Sequence, residues 1–329
     1  MTVSDLGEHA LLARILARLP RPGARILVGP GDDAAVIRPG RHLDLVVTTD
    51  ALVEDVHFRR AWSSPSDIGH KALAVNLSDL ASMGATPRWA LLSLMLPDAW
   101  AVADVEALVD GVAGLARSCG VAVAGGNITR SPGGLVIDIT AGGEAQARKV
   151  LTRAGGRPGD ELWVSGEVGA ARAAVEMLTA GGALDEALVA RHRRPEPRVR
   201  LGVAMAQGRA ARAAMDLSDG LADAVRQLAE ASGCGARIDA DAVPVAPAAR
   251  RWFEARGLDA VAAAAAGSDD YELLFALPPR WGGRLRHVRS RVSQPVLTRI
   301  GALTRAAGCR LERGGQPVDW PGGFEHFRA

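Results

Sequence analysis

Apolar positions along the chain alternate between two rhythms. Runs of strand length, LDLVVTTD (43–50), RWALLSLMLP (88–97), VAVAGG (121–126) and LVIDITAGG (135–143), are interleaved with helical spacing over 66–83 and 101–118. The pattern resumes beyond residue 160. There ELWVSG (161–166), YELLFALP (271–278) and VLTRIGAL (296–303) read as strands, with helices predicted near 168–180, 195–209 and 219–232. Strands interleaved with helices predict an α/β fold. Between the halves lies TRAGGRPGD (152–160), rich in Gly, Arg and Pro, which places a domain boundary near it. At the N-terminus, Leu12, Ile15, Leu16 and Leu19 fall at helical spacing, Asp5 with Glu8 resembles a capping box, and Pro20 stops the run. This segment reads as one amphipathic helix and not as a signal peptide.

Composition narrows the class. The 329 residues are 48% hydrophobic and 23% charged, the profile of a soluble globular protein, and no apolar run is long enough to span a membrane. Net charge is +2, and Lys71 and Lys149 are the only lysines among many dispersed arginines. With little aromatic interleaving, neither a nucleic-acid nor a membrane partner is expected. Cys119, Cys234 and Cys309 lie far apart and make no zinc or redox spacing, so a reduced, cytoplasmic setting is expected.

Carboxylates change the picture. GPGDDAAVI (29–37) places Asp32 and Asp33 in a turn-forming stretch, and Asp50 ends LDLVVTTD just after Thr48 and Thr49. A group at the carboxyl end of a strand sits where α/β proteins bind ligands. Asp79 falls inside the apolar helix predicted over KALAVNLSDLASMGA (71–85), where a partly buried carboxylate needs a partner. Asp216 closes a short apolar run in AAMDLSDG, with Asp219 three residues on. Each has an ordinary alternative: Asp219 as a helix cap, Asp50 as a turn residue, Asp79 paired with an arginine. Brought together, carboxylates about 4 Å apart repel by roughly 4 kcal/mol at an effective dielectric near 20, which bound cations would relieve. Hard oxygen donors of this kind suit magnesium, which bridges carboxylates to substrate phosphates. No GxxxxGK[ST] loop, dinucleotide fingerprint or GxSxG elbow is present.

GPGDDAAV, TTDALVEDVHF, KALAVNLSDLASMGA, GGNITRS, TRAGGRPGD, MDLSDGLADA and DDYELLF occur in this order. The series resembles the thiamine-monophosphate kinases, within the aminoimidazole ribonucleotide synthetase-like superfamily, and runs on to WPGGFEHF near the C-terminus. The resemblance implies a two-domain α/β protein of the α+β type, with an N-terminal and a C-terminal mixed sheet, each packed with helices. Residues 1–150 would bind ATP and magnesium and form a homodimer, and residues 151–329 would complete the nucleotide and substrate cleft. The implied reaction is direct in-line transfer of the γ-phosphate of ATP to thiamine phosphate, with several magnesium ions.

Position by position, the resemblance implies metal ligation by Asp33, Thr48, Thr49, Asp50, Asp79, Asn127, Asp216 and Asp219, with Asp33, Asp50, Asp79 and Asp216 as the catalytic set. It implies nucleotide contacts at Gly126, Arg153 and Ser218, and thiamine phosphate contacts at His57, Asp269 and Phe324. Two positions depart from the family pattern: GGNI stands for GGDT, so Asn127 replaces an aspartate, and GSDDYEL stands for GGEDYEL, so Asp269 replaces a glutamate. Two alternatives stay open. One is another ATP-dependent enzyme of the superfamily, disfavoured because no cysteine lies near either end. The other is a non-catalytic nucleotide- or thiamine-binding homologue, which an ADP-release assay would distinguish.

Overall fold

The computed structural model describes residues 2–6, 8–20, 26–28 and 36–320. Backbone contacts divide the chain into two units, Met1–Leu80 with Thr86–Ala147, and Ala81–Ala85 with Arg148–Ala329. The first carries α1 (Val3–Leu6), α2 (Glu8–Leu16), β1 (Ile26–Val28), β2 (Val36–Ile37), β3 (Leu43–Val53), α3 (Pro65–Ser82), β4 (Thr86–Pro97), α4 (Val102–Cys119), β5 (Ala122–Ser131) and β6 (Val136–Gln146). The last two residues of α3 count with the second unit.

Strands β3–β6–β4–β5 form one sheet, antiparallel except between β4 and β5. Strand alternation and register put Leu52, Ile137, Ile139, Leu92 and Leu94 on one face, and all five are buried. Burying each such side chain is worth roughly 1.5–3 kcal/mol, and a one-residue slip would turn all of them outward. The opposite face carries Leu45 and Val47, which are 54% and 52% exposed. Helix α3 starts from a reciprocal cap that pattern reading passed over. The Ser64 N–H donates to the Asp67 carboxylate, the Asp67 N–H donates to the Ser64 hydroxyl, and Pro65 opens the helix.

The N-terminal segment is helical over Val3–Leu6 and Glu8–Leu16, as its spacing predicts, and the Thr2 N–H donates to the Asp5 carboxylate at 2.8 Å. One expectation for this unit is corrected. Asp50 does not end its strand, because the β3–β6 ladder continues unbroken to Val53 opposite Val136.

The second unit carries β7 (Glu161–Ser165), α5 (Ala170–Ala180), α6 (Glu186–Arg193), α7 (Val199–Gln207), β8 (Ala213–Asp216), α8 (Leu221–Ala231), β9 (Gly235–Asp239), α9 (Pro247–Glu254), α10 (Ala260–Ala265), β10 (Leu273–Leu277), α11 (Gly282–Arg291), β11 (Leu297–Thr304), β12 (Cys309–Arg313) and β13 (Gln316–Val318). Its sheet order is β13-β12-β9-β11-β7-β10-β8, antiparallel except between β12 and β9. Helices cover both faces. Leu274 and Ala276 of β10 join a core with α5, α6, α8, α9 and α10, while Leu273, Phe275 and Leu277 join another with α7 and α11. Burial on both sides explains why LLFAL is continuously apolar.

Two boundaries move for local reasons. The helix expected from residue 195 begins at Val199, because Pro195 and Pro197 bias their preceding residues away from helical backbone. The strand expected from Tyr271 begins at Leu273, because Asp269 and Tyr271 have φ of 67° and 48°, outside the extended region.

Candidate active site

In the first unit the central contact joins strand and helix. The Thr48 hydroxyl of β3 donates to the Asp79 carboxylate of α3. Asp50 shares the face of Thr48, two residues along an extended strand. Helix α3 is apolar almost all round, with Leu73, Val75, Leu77 and Leu80 buried, whereas Asp79 keeps partial exposure. Thr49 points to the other face, where its hydroxyl meets the Thr140 hydroxyl at 3.1 Å and the Ile139 carbonyl at 3.3 Å. Asn127 lies on that same face by register, in a row Ala51–Asp138–Ser93–Asn127 across four strands. Thr48, Asp50 and Asp79 are therefore brought to one side, and Thr49 and Asn127 to the other.

Gly126 has a packing reason of its own. A Cβ there would lie 1.9 Å from the Leu92 carbonyl oxygen, so this position of β5 excludes any side chain. His57 follows β3 in a tight turn. Its Nδ1 accepts the Val53 N–H at 3.0 Å, which leaves the ring proton of the neutral form on Nε2. Behind it the buried Lys71 ammonium donates to the His57 carbonyl at 3.2 Å.

In the second unit two loops are zipped together. Asp216 ends β8, is 3% exposed, and pairs across the ladder with Leu273. Beyond it the Leu217 N–H donates to the Glu272 carbonyl, the Asp269 N–H to the Ser218 carbonyl, and the Tyr271 N–H to the Leu217 carbonyl, at 2.9, 2.8 and 3.2 Å. Ser218 and Asp269 thus belong to one backbone network, and Asp219, next along the chain, is partly exposed. Asp219 does not cap α8, whose N-cap is Gly220 without a side-chain bond. Arg153 stands apart in the exposed 152–155 stretch, where its guanidinium donates to Gln227 of α8.

A buried ion cluster holds this network. Glu272 is fully buried, and Arg198 grips it with two nitrogens, Nε at 2.8 Å from Oε2 and Nη2 against Oε1. Arg191 adds a contact at 2.9 Å, and the Ser165 hydroxyl donates to the same carboxylate. Two guanidiniums and a hydroxyl compensate the desolvated charge. Burial alone would depress the Arg198 pKa, yet the Glu272 carboxylate holds it above the ordinary arginine value. Gly166, at φ 60°, leaves the space that Glu272 fills, since a Cβ there would lie 2.2 Å from Oε1. Asp270 caps α5 by accepting the Gly169 N–H at 2.8 Å, and burial pushes its pKa up to about 7 against the pull of that N–H.

Asp32, Asp33 and Phe324 lie outside the described residues. Among the described residues no three His, Cys, Asp or Glu side chains gather into a metal-holding group. The donors that do meet, a hydroxyl and a carboxylate with a second carboxylate on the same strand face, are hard oxygens, a set that fits magnesium. Pattern reading missed Lys71, Arg191, His192, Arg198, Tyr271 and Glu272. Only Glu272 carried a signal, a charged residue directly before a continuously apolar run.

Comparison with known proteins gives this arrangement its class. Residues 31–145 match the family described as AIR synthase related protein, N-terminal domain, and residues 157–280 match its C-terminal domain. The protein thus has the two-domain AIR synthase-like fold, with mixed sheets packed by helices. The thiamine-monophosphate kinase of Salmonella typhimurium is 36% identical over 98% of both chains. That of Haemophilus influenzae is 32% identical over 98% of both. The crystal structure of thiamine-monophosphate kinase from Stenotrophomonas maltophilia is 38% identical, with a TM-score of 0.82 over 97% of this chain and 99% of that one. AaThiL, solved in complex with AMPPCP and TMP, is 32% identical, with a TM-score of 0.76 over 99% of both chains. The chain belongs to the thiamine-monophosphate kinase family. No helix among the described residues is long and apolar enough to cross a membrane.

Proposed function

We propose that this protein transfers the γ-phosphate of ATP directly to thiamine phosphate, giving thiamine diphosphate and ADP. The observation that carries the reading is 36% identity to a thiamine-monophosphate kinase across 98% of both chains. The acceptor is a phosphate monoester whose second pKa is near ~6, so its attacking oxygen is already largely ionised at neutral pH. No general base is required of the protein. Its task is to align two anionic groups and offset their repulsion.

Thr48, Asp50, Asp79, Asp216 and Asp219, with Asp33 and with Thr49 and Asn127 from the opposite sheet face, are the proposed magnesium ligands, and Asp33, Asp50, Asp79 and Asp216 the catalytic set. Bound magnesium would neutralise phosphate charge in the transition state. Gly126, Arg153 and Ser218 are the proposed nucleotide contacts. His57 offers its Nε2–H to the acceptor phosphate, a role supported by the Val53 N–H that occupies Nδ1. Asp269 opposes the positive charge of the thiazolium ring, with Phe324 as a cation–π partner. The enzyme works in the cytoplasm as a homodimer, and the exposed Leu45 and Val47 on one sheet face support the pairing of subunits.

The test measures ADP release with thiamine phosphate or free thiamine as acceptor, with and without magnesium. ADP and thiamine diphosphate are expected only with thiamine phosphate and magnesium together. Equal use of free thiamine would defeat both the assignment and the mechanism.

A further inference from the structure

Asp269 is presented by a turn that ordinary folding would avoid. Neither Asp269 nor Tyr271 is glycine, yet both take left-handed backbone, at φ 67° and 48°. Such a turn persists only where its surroundings enforce it, and here they do so from several sides. The Asp269 and Tyr271 N–H groups are bonded to the 217–218 backbone, Asp270 is anchored on the start of α5, and Glu272 is gripped by two arginines.

The result is a side chain only a quarter exposed, with a defined neighbour at each oxygen. Oδ1 accepts the Tyr271 hydroxyl at 3.1 Å, and Oδ2 lies 3.6 Å from Nδ1 of His192. His192 is 4% exposed and sits on α6 next to Arg191, which reaches Glu272. One short helix therefore touches two residues of the strained turn through two adjacent side chains.

We propose that His192 and Tyr271 are positioning residues that hold the Asp269 carboxylate in the orientation in which it receives the cationic ring of thiamine phosphate. The inference rests on the reading of Asp269 as a substrate contact. A carboxylate left to rotate in a partly open site would divide its time among orientations, and its charge would be aimed at the ring for only part of it. A phenol donating to one oxygen and an imidazole beside the other remove that freedom before substrate arrives, which lowers the cost of binding.

The test uses the full-length enzyme and separates KM from kcat for each substrate. Tyr271→Phe is expected to raise KM for thiamine phosphate about tenfold, the worth of a hydrogen bond to a charged group, and His192→Phe, which removes a 3.6 Å contact, about threefold. KM for ATP, kcat and the melting temperature are expected to stay close to the parent. His192→Asn, which places an amide nitrogen near the position of Nδ1, is expected to restore most of the loss. A parallel rise in both KM values, or losses that track melting temperature, would overturn the positioning role. Asp269→Asn distinguishes the two layers. If it raises KM for thiamine phosphate while Tyr271→Phe and His192→Phe do not, the positioning inference falls and the Asp269 contact stands. If Asp269→Asn leaves that KM unchanged, the substrate contact itself falls.

Discussion

The triplet Leu-Ser-Asp occurs once in each unit and is held in two different ways. Leu77–Ser78–Asp79 lies within α3, where both Leu77 and Ser78 are fully buried and the helix sets every backbone angle. Leu217–Ser218–Asp219 lies in the turn after β8, where Leu217 is equally buried but the backbone bonds reach residues 269–272, some fifty positions away. The flanks decide. KALAV before the first triplet continues a buried apolar helix, whereas the second follows a strand and runs into Gly220, at φ 95°. A carboxylate on a helix is placed by local geometry. One on a turn is placed by whatever anchors the turn, here Glu272 with Arg191 and Arg198.

The comparison breaks first at Glu272. Glu272→Gln would remove the buried partner of Arg191 and Arg198, leaving Arg198 only its exposed partner Glu196, and is expected to cost about 3 kcal/mol in urea unfolding. Glu144→Gln in the first unit removes a partner of the half-exposed Arg88, with an expected cost of about 1–2 kcal/mol. Equal losses would show that the second site is no more dependent on distant anchors than the first.

Next in size are Asp79→Asn and Asp216→Asn, which keep shape and remove charge. Each is expected to lower kcat about a hundredfold, typical for one electrostatic group in a transition state, with the urea midpoint preserved. Turnover near the parent value in either would remove that residue from the proposed metal set.

Asp270 sharpens the contrast through pH. Its folded pKa of about 7 lies above the ordinary 3.8, so its protonated form is favoured in the fold. Its contribution is therefore fully present below about pH 4 and is lost as pH rises through 7, with a slope of at most ~1.4 kcal/mol per pH unit. Asp270→Asn is expected to flatten that part of a melting-temperature profile between about pH 4 and 7. An unchanged profile would mean that another group sets the slope.

The smallest effect separates neighbours on β3. Thr48→Val loses the Asp79 contact and is expected to cost about tenfold in kcat/KM, whereas Thr49→Val, which removes a neutral proposed ligand on the opposite face, is expected to cost about threefold. A loss below about twofold for Thr49→Val would remove Thr49 from the proposed metal set.

Much of this is legible in the sequence alone. Alternating runs at 43–50, 88–97 and 135–143 and helical spacing at 66–83 and 101–118 are large, repeated signals, and each corresponds to an observed element. Helix α6 is not, because EALVARHR buries only Leu188, Val189 and His192 and is otherwise alanine and charged residues. Strand β9, GARID, was too short to show a period. Of the site, the carboxylates stood out because an aspartate in an apolar helix or after an apolar run conflicts with its neighbours. Their supports did not, since an arginine or tyrosine looks the same in sequence whether it faces solvent or a buried partner.

By itself the sequence determined where the long strands and helices lie, which of their faces are apolar, and which acidic residues lie out of keeping with their surroundings. These are properties of spacing, and spacing is local. The tertiary structure alone decided that Thr48 meets Asp79, that Thr49 and Asn127 fall on the opposite face from Asp50, and that Glu272 draws in Arg191 and Arg198. Those outcomes depend on register and on side-chain pairings between residues 31 to 81 positions apart. They are settled when two faces become buried together, because only then does an unmatched charge acquire a cost.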